Sequence, residues 1–266
     1  MKYFNTGCKD RENLTGVILA AGKSSRYQKL RHKFLDKFQG KEIIKIVLEA
    51  MLPLVKELIC VVSPDHEEIK RILREYPSIK YAIQEKPLGT GDALLATAPL
   101  LEGSGKDILV SFADKPLVTS RTFSLLISHH FQSRAHITFA TTILPDPGSK
   151  GRIIRKEGKF VDIIEARDAD EETKKIKEVH AGYLCCNSKE IFKELRKLDN
   201  NNKAGEYYLT KVYSLYLKDG YKVETVTIPP EESYDVNTVR HLEDIQNWVR
   251  QVKEAQRRNG NLYHQI

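Results

Sequence analysis

Three polar residues far apart in the chain carry the clearest chemistry: Lys33, Asp114 and Asn237. Lys33 follows the small-residue segment Leu19-Ala20-Ala21-Gly22-Lys23-Ser24-Ser25-Arg26, which reads as a cradle for phosphates. Ala20 to Gly22 lack bulk, so a phosphate can approach the backbone. Successive N–H groups can point into one concavity there, while Lys23, Arg26 and Lys33 surround it with positive charge. Asp114, in Phe112-Ala113-Asp114-Lys115-Pro116, follows an apolar run and offers an ionised carboxylate. Mg²⁺ takes one or two such hard oxygens and completes its shell with substrate phosphates and water. Asn237, in Tyr234-Asp235-Val236-Asn237-Thr238, can add an amide oxygen. Read alone, Asn237 is a helix N-cap for the amphipathic stretch that reaches Trp248, and capping and ligation are compatible through its second lone pair.

The cradle fits neither of two commoner nucleotide motifs. Gly16 and Gly22-Lys23-Ser24 mimic a P-loop, but five residues separate the glycines, one more than that motif allows, and they form a strand. The dinucleotide fingerprint needs two further glycines that are missing here. An ordinary strand-to-helix turn with incidental basic residues stays open as the alternative for this segment taken alone.

The elements that must position these groups follow from hydrophobic periodicity. Strands are expected at 15–19, 57–62, 80–84 and 107–112, and helices at 42–52, 91–101 and 119–131. Between the second and third strands a helix is expected to start at a capping box formed by Asp65 and Glu68, with Ile69, Ile72, Leu73 and Tyr76 on one face. This alternation predicts an α/β fold, a mostly parallel sheet flanked by helices. Further strands at 137–144, 159–164, 178–185 and 222–228 predict an inserted or mixed-direction portion. Ligands of such sheets bind at the carboxyl ends of the parallel strands. Gly22, Gln84 and Phe112 to Asp114 all fall there. Gln84 can donate and accept at once, which suits a nucleobase edge, and Leu88-Gly89-Thr90-Gly91-Asp92-Ala93 permits close backbone approach before a helix.

With 266 residues and no Pro/Gly/Ser-rich linker, the chain reads as one domain over 15–250, with an extension at 1–14 and a polar tail at 251–266. A net charge of +7 raises nucleic acid as a partner, but lysines alternate with glutamates on stretches such as 189–197, without interleaved aromatics. The reading is therefore no nucleic acid, no membrane and a cytoplasmic location, with oligomeric state left open. Cys8, Cys60, Cys185 and Cys186 have neither metal-site nor disulfide spacing and read as reduced, packed residues.

Taken together, these pieces resemble the sugar-1-phosphate nucleotidyltransferases of Rossmann-like fold. They are most similar to the uridylyltransferase domain of the bacterial bifunctional N-acetylglucosamine-1-phosphate uridylyltransferases. The resemblance runs from Thr15 to Trp248. It adds Gly151-Arg152-Ile153, Glu165, Gly182 and Asn201-Asn202-Lys203-Ala204-Gly205-Glu206-Tyr207-Tyr208-Leu209-Thr210 to the segments above. It implies Mg²⁺-dependent transfer of UMP from UTP to a sugar-1-phosphate, by default N-acetylglucosamine-1-phosphate, with release of pyrophosphate. It further implies catalytic roles for Arg26, Lys33 and Asp114 and a metal held by Asp114 and Asn237. Nucleotide contacts would come from Leu19, Ala20, Ala21, Gly22, Lys33, Gln84, Gly89, Thr90 and Phe112, and sugar contacts from Gly151, Glu165 and His180. The alternatives are another nucleoside triphosphate, another phosphorylated acceptor, or a non-catalytic nucleotide-binding protein.

The chain also departs from that family. His180-Ala181-Gly182 stands in place of Asn-Thr-Gly, Lys150 in place of an aromatic, and Ala113 in place of a glycine. Lys115 and Lys150 are expected either to add positive charge near the sugar or to point to solvent. Hexapeptide repeats are missing after Trp248, so acetyl transfer is not expected.

Overall fold

The computed structural model describes residues 13–22, 27 and 32–258, the side chains of Gln256 and Arg258 excepted. Arg26, Lys23 and Cys8 lie outside the described residues, as does nearly all of the extension at 1–14. Among the described residues the core is a nine-stranded mixed sheet. Its main path runs β11 (Val223–Thr227), β7 (Ile137–Ile143), β10 (Glu178–Asn187), β6 (Asp107–Phe112), β1 (Leu14–Leu19), β4 (Glu57–Val62), β5 (Lys80–Ile83). The four strands from β6 to β5 are parallel, and β11 is parallel to β7. Only β10, wedged between β6 and β7, runs antiparallel to its neighbours on this path. A hairpin of β8 (Arg152–Lys156) and β9 (Lys159–Ile164) hangs from β10, β2 (Lys37–Phe38) and β3 (Lys41–Glu42) pair apart from this sheet, and the short helix α6 (Glu171–Lys174) precedes β10.

Strands buried on both faces read as unbroken apolar runs, and their alternate residues feed two cores. Ile18, Leu58, Cys60, Leu109 and Cys185 face one layer, which includes α1 (Ile43–Met51), α5 (Ser120–Ser133) and α9 (Val239–Arg258). Val17, Ile59, Val61, Val110 and Cys186 face the other, with α3 (Thr90–Leu95), α7 (Ser188–Leu195) and α8 (Val212–Lys218). Cys60, Cys185 and Cys186 are buried free thiols, as expected. At the amino ends of the strands Glu57 accepts hydrogen bonds from Thr15, Lys80 and Lys106, fastening β1, β4, β5 and the approach to β6. The carboxyl ends are left for the site.

Four local expectations change. The capping box at Asp65 and Glu68 is not formed: the short α2 (Glu67–Ile72) starts behind His66, and no side chain caps it. The single helix expected at 91–101 divides into α3 and α4 (Ala98–Leu101), where Pro99 lacks the N–H that a continuous helix would use. Strand β8 was hidden because Arg152-Ile153-Ile154-Arg155-Lys156 lacks period-two alternation. Helix α9 continues past the boundary drawn at 250, because Leu242, Ile245 and Val249 keep one buried stripe and no Gly or Pro interrupts the turns that follow. Its N-cap is Thr238, whose Oγ1 accepts from His241 N at 3.1 Å, which leaves the Asn237 side chain for another role.

Candidate active site

Backbone bonds at the carboxyl edge of the sheet bring the expected loops together. Ala20 N donates to Val61 O at 2.8 Å, Gln84 N to Val62 O at 2.8 Å, and Ala113 N to Leu19 O at 3.1 Å. The segment Leu19 to Gly22, Gln84, and Phe112 to Asp114 therefore leave neighbouring strands side by side. Gly22 is exposed at the end of this turn.

Lys33, Asp114 and Asn237 meet there. Lys33 opens the 3₁₀ turn Lys33–Leu35, which Phe34 and Leu35 anchor in the core. Its Nζ lies 2.5 Å from Asp114 Oδ2 and donates to Asn237 Oδ1 at 2.6 Å. Val236 N donates to Asp114 O at 3.0 Å, so the backbone itself ties the two segments. A carboxylate oxygen and an amide oxygen that converge on one ammonium can converge on one small cation. Both are hard oxygens, and the pair fits the small protein share of an Mg²⁺ shell.

Around this centre lies a second layer of charge that the sequence reading left open. Neither Lys115 nor Lys150 points to solvent. Lys115 is 3% exposed, donates to Ser233 O at 2.9 Å, and fills the space beside Gly182, where a Cβ would come 2.9 Å from its Cε. Lys150 donates to the same carbonyl oxygen at 2.9 Å and pairs with Asp235, whose other oxygen accepts from Asn237 Nδ2. Burial, and then the charge of Lys150, brings the Lys115 ammonium down to about 8. Burial opposes ionisation of Asp235, but Lys150 and Lys115 outweigh it and hold that carboxyl below the usual carboxylate range. Lys150, Asp235 and Asn237 open onto a groove of about 360 Å³ that Tyr234 and Trp248 also line.

The expected sugar-contacting residues form a cluster carried by the β8–β9 hairpin and β10. Gly151 lies against Glu165, where a Cβ would come 3.2 Å from Oε1, and Gly151 O accepts from His180 N at 3.0 Å. Glu165 Oε1 accepts from Thr210 Oγ1 at 2.6 Å, and burial raises its pKa. The His180 ring turns toward Phe139 and Tyr213 and shares a hydrogen bond of 2.8 Å between Nε2 and the Tyr213 hydroxyl. Burial, followed by Lys115 and Lys150, pushes it down to about 3, so it is a neutral imidazole. Gly182, at φ +91°, sits in the irregular stretch of β10 beside Phe112 and Lys115, and so borders both clusters.

On the remaining side Gln84 is 5% exposed, and its Nε2 donates to Gly89 O at 3.0 Å and to Asp92 Oδ2 at 2.7 Å. Gly89 takes φ +121° and lies so close to Tyr207 that a Cβ would come 2.6 Å from its carbonyl oxygen. Tyr207 N donates to Leu88 O and Gly91 N to Tyr207 O, each at 2.8 Å, while Thr90 Oγ1 accepts from Leu209 N at 3.1 Å. The segment at 205–209 is thus a strap across the glycine-rich turn. Asp92, Thr210, Tyr213 and Asp235 were missed as members of the site. Lys115 adjoins Asp114, Lys150 adjoins Gly151 and Asp235 lies two residues before Asn237, and three charges so placed were a signal that they need partners. Which charge meets which is decided only in three dimensions.

The profile of the MobA-like NTP transferase domain matches residues 16–213. Bifunctional protein GlmU of Lactobacillus johnsonii is 38% identical over 248 residues, covering 92% of this chain and 53% of that protein. Bifunctional protein GlmU of Clostridium novyi is 35% identical over 249 residues, covering 92% of this chain and 54% of that protein. The chain spans about half the length of the curated relatives it matches. A Bacillus anthracis structure described as a candidate glucose-1-phosphate thymidylyltransferase, in complex with sucrose, superposes with a TM-score of 0.73 at 19% identity, covering 89% of this chain and 95% of the other. That likeness concerns the fold and agrees with a Rossmann-like nucleotidyltransferase sheet. A family profile over residues 16–213, joined to relatives above 30% identity along nine-tenths of the sequence, leaves one assignment: the chain belongs to the MobA-like NTP transferase family.

Proposed function

We propose that this chain transfers UMP from UTP to a sugar-1-phosphate, N-acetylglucosamine-1-phosphate by default, giving a UDP-sugar and pyrophosphate. The observation that carries the proposal is the meeting of Lys33, Asp114 and Asn237 at the carboxyl edge of the sheet. The reaction is in-line attack of a sugar phosphate oxygen on the α-phosphorus, with pyrophosphate leaving. A phosphate monoester has a second pKa of about 6 and is largely dianionic at neutral pH, so no general base is needed. Catalysis then rests on positioning and charge neutralisation. Asp114 and Asn237 would hold Mg²⁺, which when bound supplies positive charge to the phosphates. Lys33 adds an ammonium beside them, and the backbone past Ala20, at Ala21 and Gly22, offers N–H groups to phosphate oxygens.

The locked Gln84 supports the choice of base. An ionised carboxylate only accepts, so Asp92 fixes the amide nitrogen on its side and leaves Gln84 Oε1 as the group a base would meet. Uracil and thymine carry an N3–H that such an acceptor can bind, and cytosine does not. Glu165 and Thr210 supply acceptors and donors for sugar hydroxyls.

A matrix of nucleoside triphosphates against sugar-1-phosphates, read by pyrophosphate release, tests this reading. UTP or dTTP with Mg²⁺ is expected to lead, and Lys33→Ala and Asp114→Ala are each expected to cost on the order of 10²–10³ in rate without unfolding the chain. Near-normal turnover in both variants refutes the site, and comparable use of GTP refutes the base assignment.

A further inference from the structure

We propose that Asp235, braced by Lys150, is a positioning residue that fixes the Asn237 carboxamide with its oxygen toward Asp114. The proposal rests on the metal-assisted transfer described above. A carboxamide has two ends of nearly equal size, and only the oxygen can ligate a cation. Asn237 by itself can present either end. Here its Nδ2 donates to Asp235 Oδ2, and an ionised carboxylate has no hydrogen to offer in return, so the nitrogen is held on that side. The oxygen then faces away, where it accepts from Lys33 Nζ at 2.6 Å, the ammonium that also contacts Asp114 at 2.5 Å.

Asp235 is itself restrained. Its second oxygen accepts from Lys150 Nζ, and Lys150 is fixed in turn by the Ser233 carbonyl at 2.9 Å, the acceptor that Lys115 also reaches at the same distance. Both oxygens of Asp235 are therefore engaged, and rotation of the carboxylate would break one of the two bonds. Groups that orient a ligand in this way typically change metal affinity by about 10- to 100-fold when removed. A purely structural role, holding the turn Pro230–Ser233 in place, would lower stability and leave metal affinity unchanged.

The test measures UTP binding to the full chain by titration calorimetry, with Mg²⁺ and with chelator, for the wild type, Asp235→Asn and Lys150→Met. Melting temperatures and half-saturating Mg²⁺ in pyrophosphate release are recorded alongside. Asp235→Asn, whose amide can offer either end to Asn237, is expected to weaken Mg²⁺-supported UTP binding about tenfold and to raise half-saturating Mg²⁺ by a similar factor. Its UTP affinity in chelator should stay within about twofold of wild type. Lys150→Met should move the same readouts in the same direction by less, and it decides the matter if Asp235→Asn does not fold. Folded variants with wild-type Mg²⁺ dependence overturn the positioning role alone. A wild type without Mg²⁺-dependent nucleotide binding overturns this inference and the proposed function together.

Discussion

Replacing His180 with Asn should remove a specific part of the acid sensitivity of this protein. The imidazole is 8% exposed, packed between Phe139 and Tyr213, and its pKa falls from 6.5 to about 3 through burial, then the charges of Lys115 and Lys150. Above its ordinary pKa the ring is neutral in both folded and unfolded chains, and stability is unaffected. As pH falls below 6.5 the unfolded chain takes up a proton there and the folded chain does not, so folding stability declines until the folded pKa is reached. Between about pH 7.5 and about pH 5 this one group should cost about 2 kcal/mol. Asn cannot titrate, so the variant keeps that increment whatever it loses through packing. Chemical denaturation of both proteins at the two pH values gives the double difference directly. Equal pH-dependent losses in wild type and variant, or an NMR titration of the ring near its ordinary pKa, would refute the buried neutral imidazole.

Gly89→Ala should destabilise the chain by about 2–4 kcal/mol, because the new Cβ meets backbone atoms of Tyr207 and the residue must hold a positive φ. An unchanged thermal midpoint would show that the strap at 205–209 yields freely. Asp92→Asn gives Gln84 a partner that both donates and accepts and leaves the Gly89 carbonyl as the one fixed acceptor on its amide nitrogen, so the preference for UTP over CTP should fall about threefold. A selectivity ratio unchanged in a folded Asp92→Asn protein would remove Asp92 from base recognition.

The linear sequence determined the frame because its strands are buried on both faces. Glu57–Val62 and Asp107–Phe112 match the runs expected from apolar continuity alone. Asp114 and Asn237 were legible because one follows a strand and the other precedes a helix whose ends can be read locally, and Lys33 because its charge accompanies the small-residue segment after the first parallel strand. Only the tertiary structure decided what these groups touch. Asn237 is a plausible helix cap in one dimension; in three, Thr238 takes the cap and Asn237 turns between Asp235 and Lys33. Lys115 and Lys150 are surface lysines by type, yet both are drawn to the Ser233 carbonyl, and Lys150 also to Asp235, more than eighty residues downstream. Charge pairing acts through space at a few ångströms, while sequence reading sees along the chain at a few residues. The partners of buried charges are therefore set by the fold, and at this site those partners are the Ser233 carbonyl and Asp235.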